Sequence, residues 1–339
     1  MRLGWRGAIG LLVSAATIWW LVAKSGIDWH AAWQFMRGAN LGLLVVAGGV
    51  GTLMFPLRAI RWGVILEPVA PDLSFAKRWR ATAIGMMGNN ILPFRSGEIV
   101  RPWVLHFEAP DVPFESALAS LFVDRAFDSL VVLLLLLVAT FAPGFPSGAM
   151  LGSYTVGRYA VLLATFVGAL AVGLYALVFF PEKMIAVWRF VAHRLAPQFH
   201  EPGERMLRRF ADGLSVLGHP ARFARVFGWT VLHWLVQAFA FWIGFKALGV
   251  SASYFAALFV QTAIAFAVAV PSAPGFIGVF EKMAASALAV YGIDPSAGAA
   301  WAIAYHAVSL VPITAIGLFY VWRLGLTLGQ LGSAAADAA

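Results

Sequence analysis

The chain has 339 residues, of which 61% are hydrophobic and 12% charged, with a mean hydropathy of +0.82. Soluble domains are close to half apolar and a quarter charged, so this composition excludes a water-soluble enzyme and predicts a multi-pass membrane protein. The net charge of +8 fits basic loops facing anionic lipid in the cytoplasm rather than nucleic acid, and the absence of cysteine excludes disulfides and thiolate chemistry.

Six segments are long and apolar enough to cross a bilayer, which takes about 20 residues. They are 7–23, 41–57, 115–141, 158–180, 226–248 and 297–322. The first is interpreted as a retained helix rather than a signal peptide, because no small-residue cleavage site follows it. Two further apolar regions, 81–107 and 254–291, are interrupted by proline, glycine and polar residues.

Lysine and arginine are concentrated in two connections and absent from two others. The basic connections are 58–80 and 181–225, and those without basic residues are 142–157 and 249–253. The positive-inside rule predicts that the basic connections and both termini lie in the cytoplasm. On this count region 81–107 leaves from the cytoplasmic side and returns to it, so it is predicted to be a re-entrant or broken helical hairpin. Region 254–291 is predicted to be a hairpin from the outer side, with two thin crossings as the alternative.

The two halves of the chain show the same order of elements with opposite sidedness. Residues 1–141 and 158–323 each consist of two predicted spans, a hairpin and a third span, within a single transmembrane domain over 1–323. Inverted repeats with broken helices near the midplane are a recurring plan of secondary transporters. The predicted hairpin hinges are Pro93, Gly97, Pro274, Gly275 and Gly278.

Two segments are predicted to lie outside this transmembrane plan. Residues 182–218 are expected to form a cytoplasmic amphipathic insert, because Met206, Leu207 and Phe210 fall on one side of a helix. The insert either lies on the membrane surface or packs on the inner loops as a solvated connector. Residues 324–339 show no burial pattern and are expected to be a flexible tail.

The tip of the first hairpin, GNNILPFRSGEIVRPW, concentrates polar groups where a bilayer makes them costly. Asn89 and Asn90 can cap the end of the first arm, and Arg95 and Arg101 carry planar guanidinium groups suited to phosphate. We therefore expect an anionic lipid head group to bind here. The alternative is that Glu98 pairs with one of these arginines and only holds the turn.

Asp124 and Asp128 lie four residues apart on one face of a predicted span, with Arg125 one step round. Their two interpretations are charge balance or proton coupling at the head-group site, and a structural clamp to nearby arginines.

Glu281 and His306 are the polar candidates of the second half. Glu281 is either a titrating carboxylate or a capping acid paired with Lys282. His306 is either a hydrogen-bonded packing residue or a proton carrier.

Four stretches of the sequence carry a resemblance to a known family. They are RAIRWGVIL at 58–66, GNNILPFRSGEIVRPWVL at 88–105, DRAFD at 124–128 and PSAPGFIGVFE at 271–281. In these the chain resembles the flippase-like transmembrane domain of lysylphosphatidylglycerol synthases, which includes stand-alone members and hopanoid-associated membrane proteins. The chain departs from the family pattern at Asp124, where a glutamate is expected, and at His306, where an arginine is expected. The resemblance implies movement of a polar-headed lipid between leaflets, without the aminoacyl transfer of the fused relatives.

The sequence as a whole predicts a lipid transporter or flippase of the cytoplasmic (inner) membrane. It would move an anionic or isoprenoid lipid through a polar cavity formed by the two hairpins, with no metal or cofactor and no enzymatic step. The expected partners are this lipid and anionic lipid at the cytoplasmic face. Two alternatives are a membrane-embedded transferase using a lipid-linked donor, and an accessory subunit that docks a lipid synthase through the insert.

Overall fold

The architecture is that of a computed structural model. The structure describes residues 27–92, 95–148, 180–195, 219–269 and 274–337, with isolated residues between these ranges. Apart from isolated residues, the predicted spans 7–23 and 158–180 and the later part of the insert, 196–218, lie outside the described residues. The predicted hinge Pro93 also lies outside them.

The described chain is almost entirely helical, which agrees with the predicted all-α membrane protein. The helices are α1 Trp29–Arg37, α2 Leu41–Thr52, α3 Met54–Leu66, α4 Phe75–Ile91, α5 Gly97–Glu108, α6 Phe114–Phe141, α7 Pro181–Leu195, α8 Pro220–Ala247, α9 Tyr254–Ala269, α10 Val279–Val290, α11 Pro295–Arg323 and α12 Leu328–Asp337. Two short strands, β1 Met150–Leu151 and β2 Tyr154–Thr155, pair antiparallel.

Within the described ranges, three helical stretches are long and apolar enough to cross a membrane by length and composition. They are Leu41–Leu66, which joins α2 and α3, and the helices α8 and α11. Helix α6 has 28 residues and matches the predicted span 115–141, although it carries Asp124, Arg125 and Asp128. These helices agree with a multi-pass membrane protein.

The predicted span 41–57 extends further than expected. Leu53 joins α2 to α3 with helical dihedral angles (φ −62°, ψ −22°), so the helix continues nearly to Leu66. Arg58 and Arg61 therefore lie within a helix, which corrects their assignment to a cytoplasmic loop over 58–80. Both side chains are buried, which is sustainable because carboxylates of α6 neutralise them.

The first predicted hairpin is present, with the break where the sequence placed it. Helix α4 ends at Ile91 and α5 begins at Gly97, and the two arms pack tightly. A Cβ atom on Gly97 would lie 1.8 Å from the carbonyl oxygen of Gly85, and one on Gly85 would lie 2.8 Å from Cβ of Arg101. The arms approach this closely because two glycines face each other.

The second hairpin consists of α9 and α10, joined through a 3₁₀ turn at Pro274–Phe276. Gly275 and Gly278 have positive φ angles of 68° and 88°, which explains why the turn needs glycine. The arms have 16 and 12 residues, or about 24 and 18 Å at 1.5 Å per residue. Both are shorter than the hydrocarbon core of about 30 Å.

Helix α11 joins the two hairpins. It packs against α10 and also against α4, where a Cβ on Gly317 would lie 2.2 Å from Cβ of Met87. A hydrophobic core surrounds α8 to α11, and a second core surrounds α3 to α5 and includes Leu331 of α12.

Two short helices differ from the sequence prediction. Residues Leu328–Asp337 form α12 with Leu331 fully buried, where a flexible tail was expected over 324–339. The short helix α1 was not predicted; it is capped by Asp28 and packs near the start of α11, where the backbone N–H of Asp28 donates to Ser296.

Candidate functional site

A cavity of about 350 Å³ lies between the two hairpins. Residues of α2, α3, α4 and α6 line it from the first half, and residues of α8 to α11 line it from the second. Its charged lining residues are Arg58, Arg95, Glu98, Arg125 and Asp128. Large apolar side chains, including Phe55, Phe266, Leu310 and Ile313, line it as well. One cavity therefore offers both charged groups and hydrocarbon.

Arg95 connects the tips of the two hairpins. Its Nη1 atom donates a hydrogen bond of 3.1 Å to the carbonyl oxygen of Val268, near the end of α9. Its guanidinium group also lies 5.6 Å from the ring centroid of Phe276. Both Arg95 and Phe276 have left-handed backbone angles (φ 55° and 59°), which are strained for such residues. The two predicted hairpins thus meet at the cavity.

The predicted pair Asn89 and Asn90 also lines the cavity. Nδ2 of Asn90 donates a hydrogen bond of 2.8 Å to Thr314 of α11. Asn89 is buried, and its Oδ1 atom has no hydrogen-bond partner among the described residues. Asn90 therefore holds the hairpin to α11, while Asn89 retains an unused acceptor.

Asp124 and Asp128 pair with arginines of neighbouring helices, as expected for a structural clamp, one of their two interpretations. Asp124 pairs with Arg61 at 2.5 Å and with Arg101 at 3.1 Å. Asp128 pairs with Arg61 at 2.7 Å and with Arg58 at 3.2 Å, and it accepts a hydrogen bond from Nε1 of Trp234. These contacts tie α3, α5, α6 and α8 together inside the membrane domain.

The structure places Arg101 away from the cavity lining. Its side chain is fully buried, pairs with Asp124 and lies 4.0 Å from the ring centroid of Trp62. Arg101 therefore serves the buried ion pairs rather than the head-group contact expected from the sequence.

Arg125 and Glu98 connect this buried cluster to the cavity. Oε1 of Glu98 lies 3.6 Å from Nη2 of Arg95 and 3.6 Å from Nη2 of Arg125, too far for a hydrogen bond in either case. Arg125 also lies 3.3 Å from Asp128. The side chains of Arg95 and Arg125 are 28% and 36% exposed, whereas those of Arg58, Arg61 and Arg101 are buried.

The charges in this cluster do not balance. Among the residues that the structure describes, its ion pairs join five arginines to three carboxylates. The arginines are Arg58, Arg61, Arg95, Arg101 and Arg125, and the carboxylates are Glu98, Asp124 and Asp128. Arginine stays protonated in proteins, so the cluster carries a surplus of positive charge that favours an anion.

Glu281 caps the second arm of the second hairpin, as one of its two interpretations predicted. Its carboxylate accepts a hydrogen bond of 2.7 Å from the backbone N–H of Gly278. The other carboxylate oxygen lies 2.5 Å from Nδ1 of His306, where the sequence had suggested Lys282 as the partner. His306 stacks on Phe280 at 4.2 Å and lines the cavity, whereas Glu281 lies behind it.

Several cavity residues were not among the predicted ones. The sequence analysis assigned Arg58 to a loop and did not select Trp234 or Gln261, although all three line the cavity. Nε2 of Gln261 donates a hydrogen bond of 2.9 Å to the carbonyl oxygen of Trp234, which links α9 to α8. A polar residue inside an apolar run, as at Gln261, is the signal that could have found it.

Comparisons with known proteins agree with this architecture. The model of the lysylphosphatidylglycerol synthase TM region matches residues 7–317. Two UPF0104 membrane proteins of Methanothermobacter thermautotrophicus are 24% and 25% identical, over 92% and 84% of this chain and 91% and 84% of their own lengths.

A third relative is larger than this chain. Glycosyltransferase AglD of Haloferax volcanii is 28% identical over 83% of this chain and 49% of its own length, so the chain spans about half of that relative. No solved structure matches the chain. Because the family model covers most of the sequence, the chain belongs to the lysylphosphatidylglycerol synthase transmembrane-region family.

Proposed function

We propose that the protein moves a lipid with an anionic head group between the two leaflets of the membrane. The observation that carries this proposal is the mixed lining of the cavity. Arg95 and Arg125 suit a phosphate group, while Phe266 and Leu310 suit a hydrocarbon chain. A lipid is the class of molecule that presents both.

In this proposal the hairpins enter the cell membrane from opposite faces, with both termini in the cytoplasm. Their tips meet where Arg95 reaches Val268, which would lie near the midplane. Transporters built from inverted repeats bind their substrates at such a place, because broken helices expose polar groups there. A lipid head group would pass this point while its chains stay in the bilayer.

Each cavity residue has a separate role in the proposal. Arg95 and Arg125 bind the phosphate, and Asn89 binds a neighbouring polar atom. Glu98 and Asp128 balance the charge of the arginines when the cavity is empty. Glu281 of the second hairpin and His306 of α11, which are hydrogen-bonded, would exchange a proton during the cycle.

The test is lipid movement in vesicles that contain the purified protein. Phosphatidylcholine vesicles would carry a trace of phosphatidylglycerol or phosphatidic acid labelled on an acyl chain, and an impermeant quencher would report the outer leaflet. We expect faster loss of the protected signal than in protein-free vesicles. Arg95→Ala should slow it by about tenfold or more, because charge-assisted hydrogen bonds contribute about 1.5–3 kcal/mol.

Arg37→Ala is the matched control, since Arg37 is exposed in α1 and outside the cavity lining. This control should move lipid as fast as the parent protein. The assignment fails if Arg95→Ala and Glu98→Gln both match the control. The proposed function itself fails if neither anionic lipid crosses faster than in protein-free vesicles.

A second candidate function is lipid-linked group transfer, favoured by one relative that bears the name of a glycosyltransferase. The match covers 49% of that relative, so its activity need not lie in the shared part. Mass spectrometry of vesicle lipids, after incubation with a lipid-linked sugar donor, separates the two functions. A lipid of altered mass supports transfer, and an unchanged lipid that has switched leaflet supports transport.

A further inference from the structure

The charge surplus of the cluster amounts to two. Each of its three carboxylates lies within 4 Å of at least two guanidinium groups, so all three are held as anions. In the described part of the chain, five arginines therefore face three negative charges. An uncompensated charge is costly inside a membrane protein, so this surplus favours the binding of an anion.

The surplus lies at the cavity rather than behind it. Arg61 and Arg101 lie outside the cavity lining, and the two charges of Asp124 and Asp128 balance them. Three arginines line the cavity, Arg58, Arg95 and Arg125, and Arg58 and Arg125 also contact Asp128. The one carboxylate of the cluster left to balance these three charges is Glu98, at 3.6 Å from Arg95 and from Arg125. Nε and Nη2 of Arg125 are buried and have no hydrogen-bond partner among the described residues, so two donor atoms of this arginine are unsatisfied.

Neighbouring titratable groups do not cancel this charge. His233 is buried 3.6 Å from Asp128, and a proton on it would only enlarge the surplus. Glu281 is the remaining acid near the cavity, and it is bound to His306 and the second hairpin. It forms no ion pair with the arginine cluster in the residues that the structure describes.

We propose that the lipid carried by this protein ends in a dianionic phosphate, that is, a phosphomonoester, held between Arg95 and Arg125. The inference rests on the proposed function and specifies its substrate class. A terminal phosphate has three oxygens that accept hydrogen bonds and carries about −1.5 to −2 charges at neutral pH. It therefore matches a surplus of two, whereas a phosphodiester head group carries one charge and leaves one arginine unmatched.

Guanidinium geometry supports the same assignment. Each arginine presents a planar fork of N–H donors that binds two oxygens of a phosphate at once. Two forks on either side of a terminal phosphate can share its three oxygens. A phosphodiester offers only two such oxygens, because the other two are esterified.

The test compares two lipids that differ in head-group charge. Phosphatidylcholine vesicles containing the full chain would carry a trace of chain-labelled phosphatidic acid or of phosphatidylglycerol with the same acyl chains. The assay is run at pH 8, where most of the phosphatidic acid carries two charges. We expect phosphatidic acid to change leaflets about tenfold faster or more than phosphatidylglycerol.

Variants that lower the positive charge surplus of the cluster by one should weaken the preference for phosphatidic acid over phosphatidylglycerol. Arg125→Gln lowers the surplus to one and should reduce the preference for phosphatidic acid to about twofold or less, whereas Arg125→Lys keeps the charge and should retain it. Arg95→Gln also lowers the charge surplus by one. Arg95 forms no ion pair with Asp124 or Asp128 among the described residues, so this variant replaces Arg125→Gln if that one does not fold. Arg37→Gln is the control outside the cavity and should leave the preference unchanged.

The outcomes separate this inference from the proposed function. Equal movement of both lipids by the parent protein overturns the inference while leaving lipid transport intact, whether or not the variants fold. A preference that survives both Arg125→Gln and Arg95→Gln also overturns it. If neither lipid crosses, the proposed function has failed. Uptake of labelled inorganic phosphate without lipid movement would assign the site to a soluble anion and overturn the lipid substrate.

Discussion

The two hairpins border one cavity but are held in place by different interactions. In the first hairpin, Gly85 and Gly97 bring the arms together, and Arg101 joins the hairpin to the carboxylates of α6. The arms of the second hairpin belong to an apolar core with α8 and α11. The polar contacts described at its turn centre on Glu281, which binds Gly278 and His306.

Because ion pairs hold the first hairpin and apolar packing holds the second, two halves with the same order of elements form a site with two different walls. Charged side chains in an apolar surrounding depend on one another, because removing one leaves its partner uncompensated. Apolar contacts are more tolerant, since a lost contact costs only the area and the space it filled. The first hairpin therefore supplies a charged wall of fixed geometry, and the second supplies a largely apolar wall. In the proposed function, the lipid chains would lie against this second wall.

The largest expected effect is the loss of a buried arginine behind the first hairpin. Arg61→Gln should lower the free energy of unfolding by about 3–5 kcal/mol, because Asp124 and Asp128 both lose their shortest ion pair. The measurement is the thermal unfolding of the purified protein in detergent, with the folded yield as a second readout.

Arg225→Gln is the matched control for this prediction. Arg225 forms a two-pronged ion pair with Glu67, but its side chain is 51% exposed, so its loss should cost less than about 1 kcal/mol. Hydrogen bonds from Arg225 lower the pKa of Glu67, so this small contribution is present at neutral pH and is lost as the pH falls through the acidic range. Similar costs for both substitutions would show that burial is not what makes the cluster critical.

A smaller effect is expected from the glycine contact between the arms of the first hairpin. Gly97→Ala would place Cβ 1.8 Å from the carbonyl oxygen of Gly85, so the arms must separate. We expect a cost of about 1–3 kcal/mol in unfolding free energy, measured by the same thermal assay. Movement of the arms should also slow lipid transport, because Arg95 lies two residues away.

Gly298→Ala tests the second hairpin in the same way. Gly298 of α11 faces α10, but a Cβ there would lie 3.5 Å from the nearest atom, Cα of Ala285, which is an ordinary contact. Alanine also favours a helix over glycine by up to about 1 kcal/mol, so this variant should be neutral or slightly stabilising. Destabilisation equal to that of Gly97→Ala would remove the contrast between the hairpins.

The sequence predicted the positions of both hairpins because their breaks are local. Proline, glycine and polar residues near Gly97 and Gly278 interrupt apolar runs, and such interruptions need no knowledge of distant contacts. The assignment of Arg58 and Arg61 to a loop was wrong for the opposite reason. Their partner Asp128 lies 70 and 67 residues away, and counting arginines along a chain does not show which of them have partners.

Contacts between residues far apart in the chain are also the part of the site that the sequence did not predict. The hydrogen bond from Arg95 to Val268 joins residues 173 positions apart, and it depends on a left-handed backbone angle that no residue pattern specifies. The pairing of Asp124 with Arg101 was foreseen as one possibility, because both are ionisable groups that cannot remain alone in hydrocarbon. The residue types showed that Asp124 and Arg101 need partners, but only the contacts between distant helices show which partners they have.

Apart from the controls Arg225→Gln and Gly298→Ala, the smallest expected effect concerns the polar contact of the second hairpin. His306→Leu removes the imidazole that binds Glu281, while the backbone N–H of Gly278 still donates to the carboxylate. Because one of two hydrogen bonds remains and the apolar packing is kept, the cost should be about 1–2 kcal/mol in the thermal assay, and His306→Gln should recover part of it by restoring a donor. A loss as large as that of Arg61→Gln would mean that the second hairpin also depends on buried charge, and the division into a charged and an apolar wall would no longer hold.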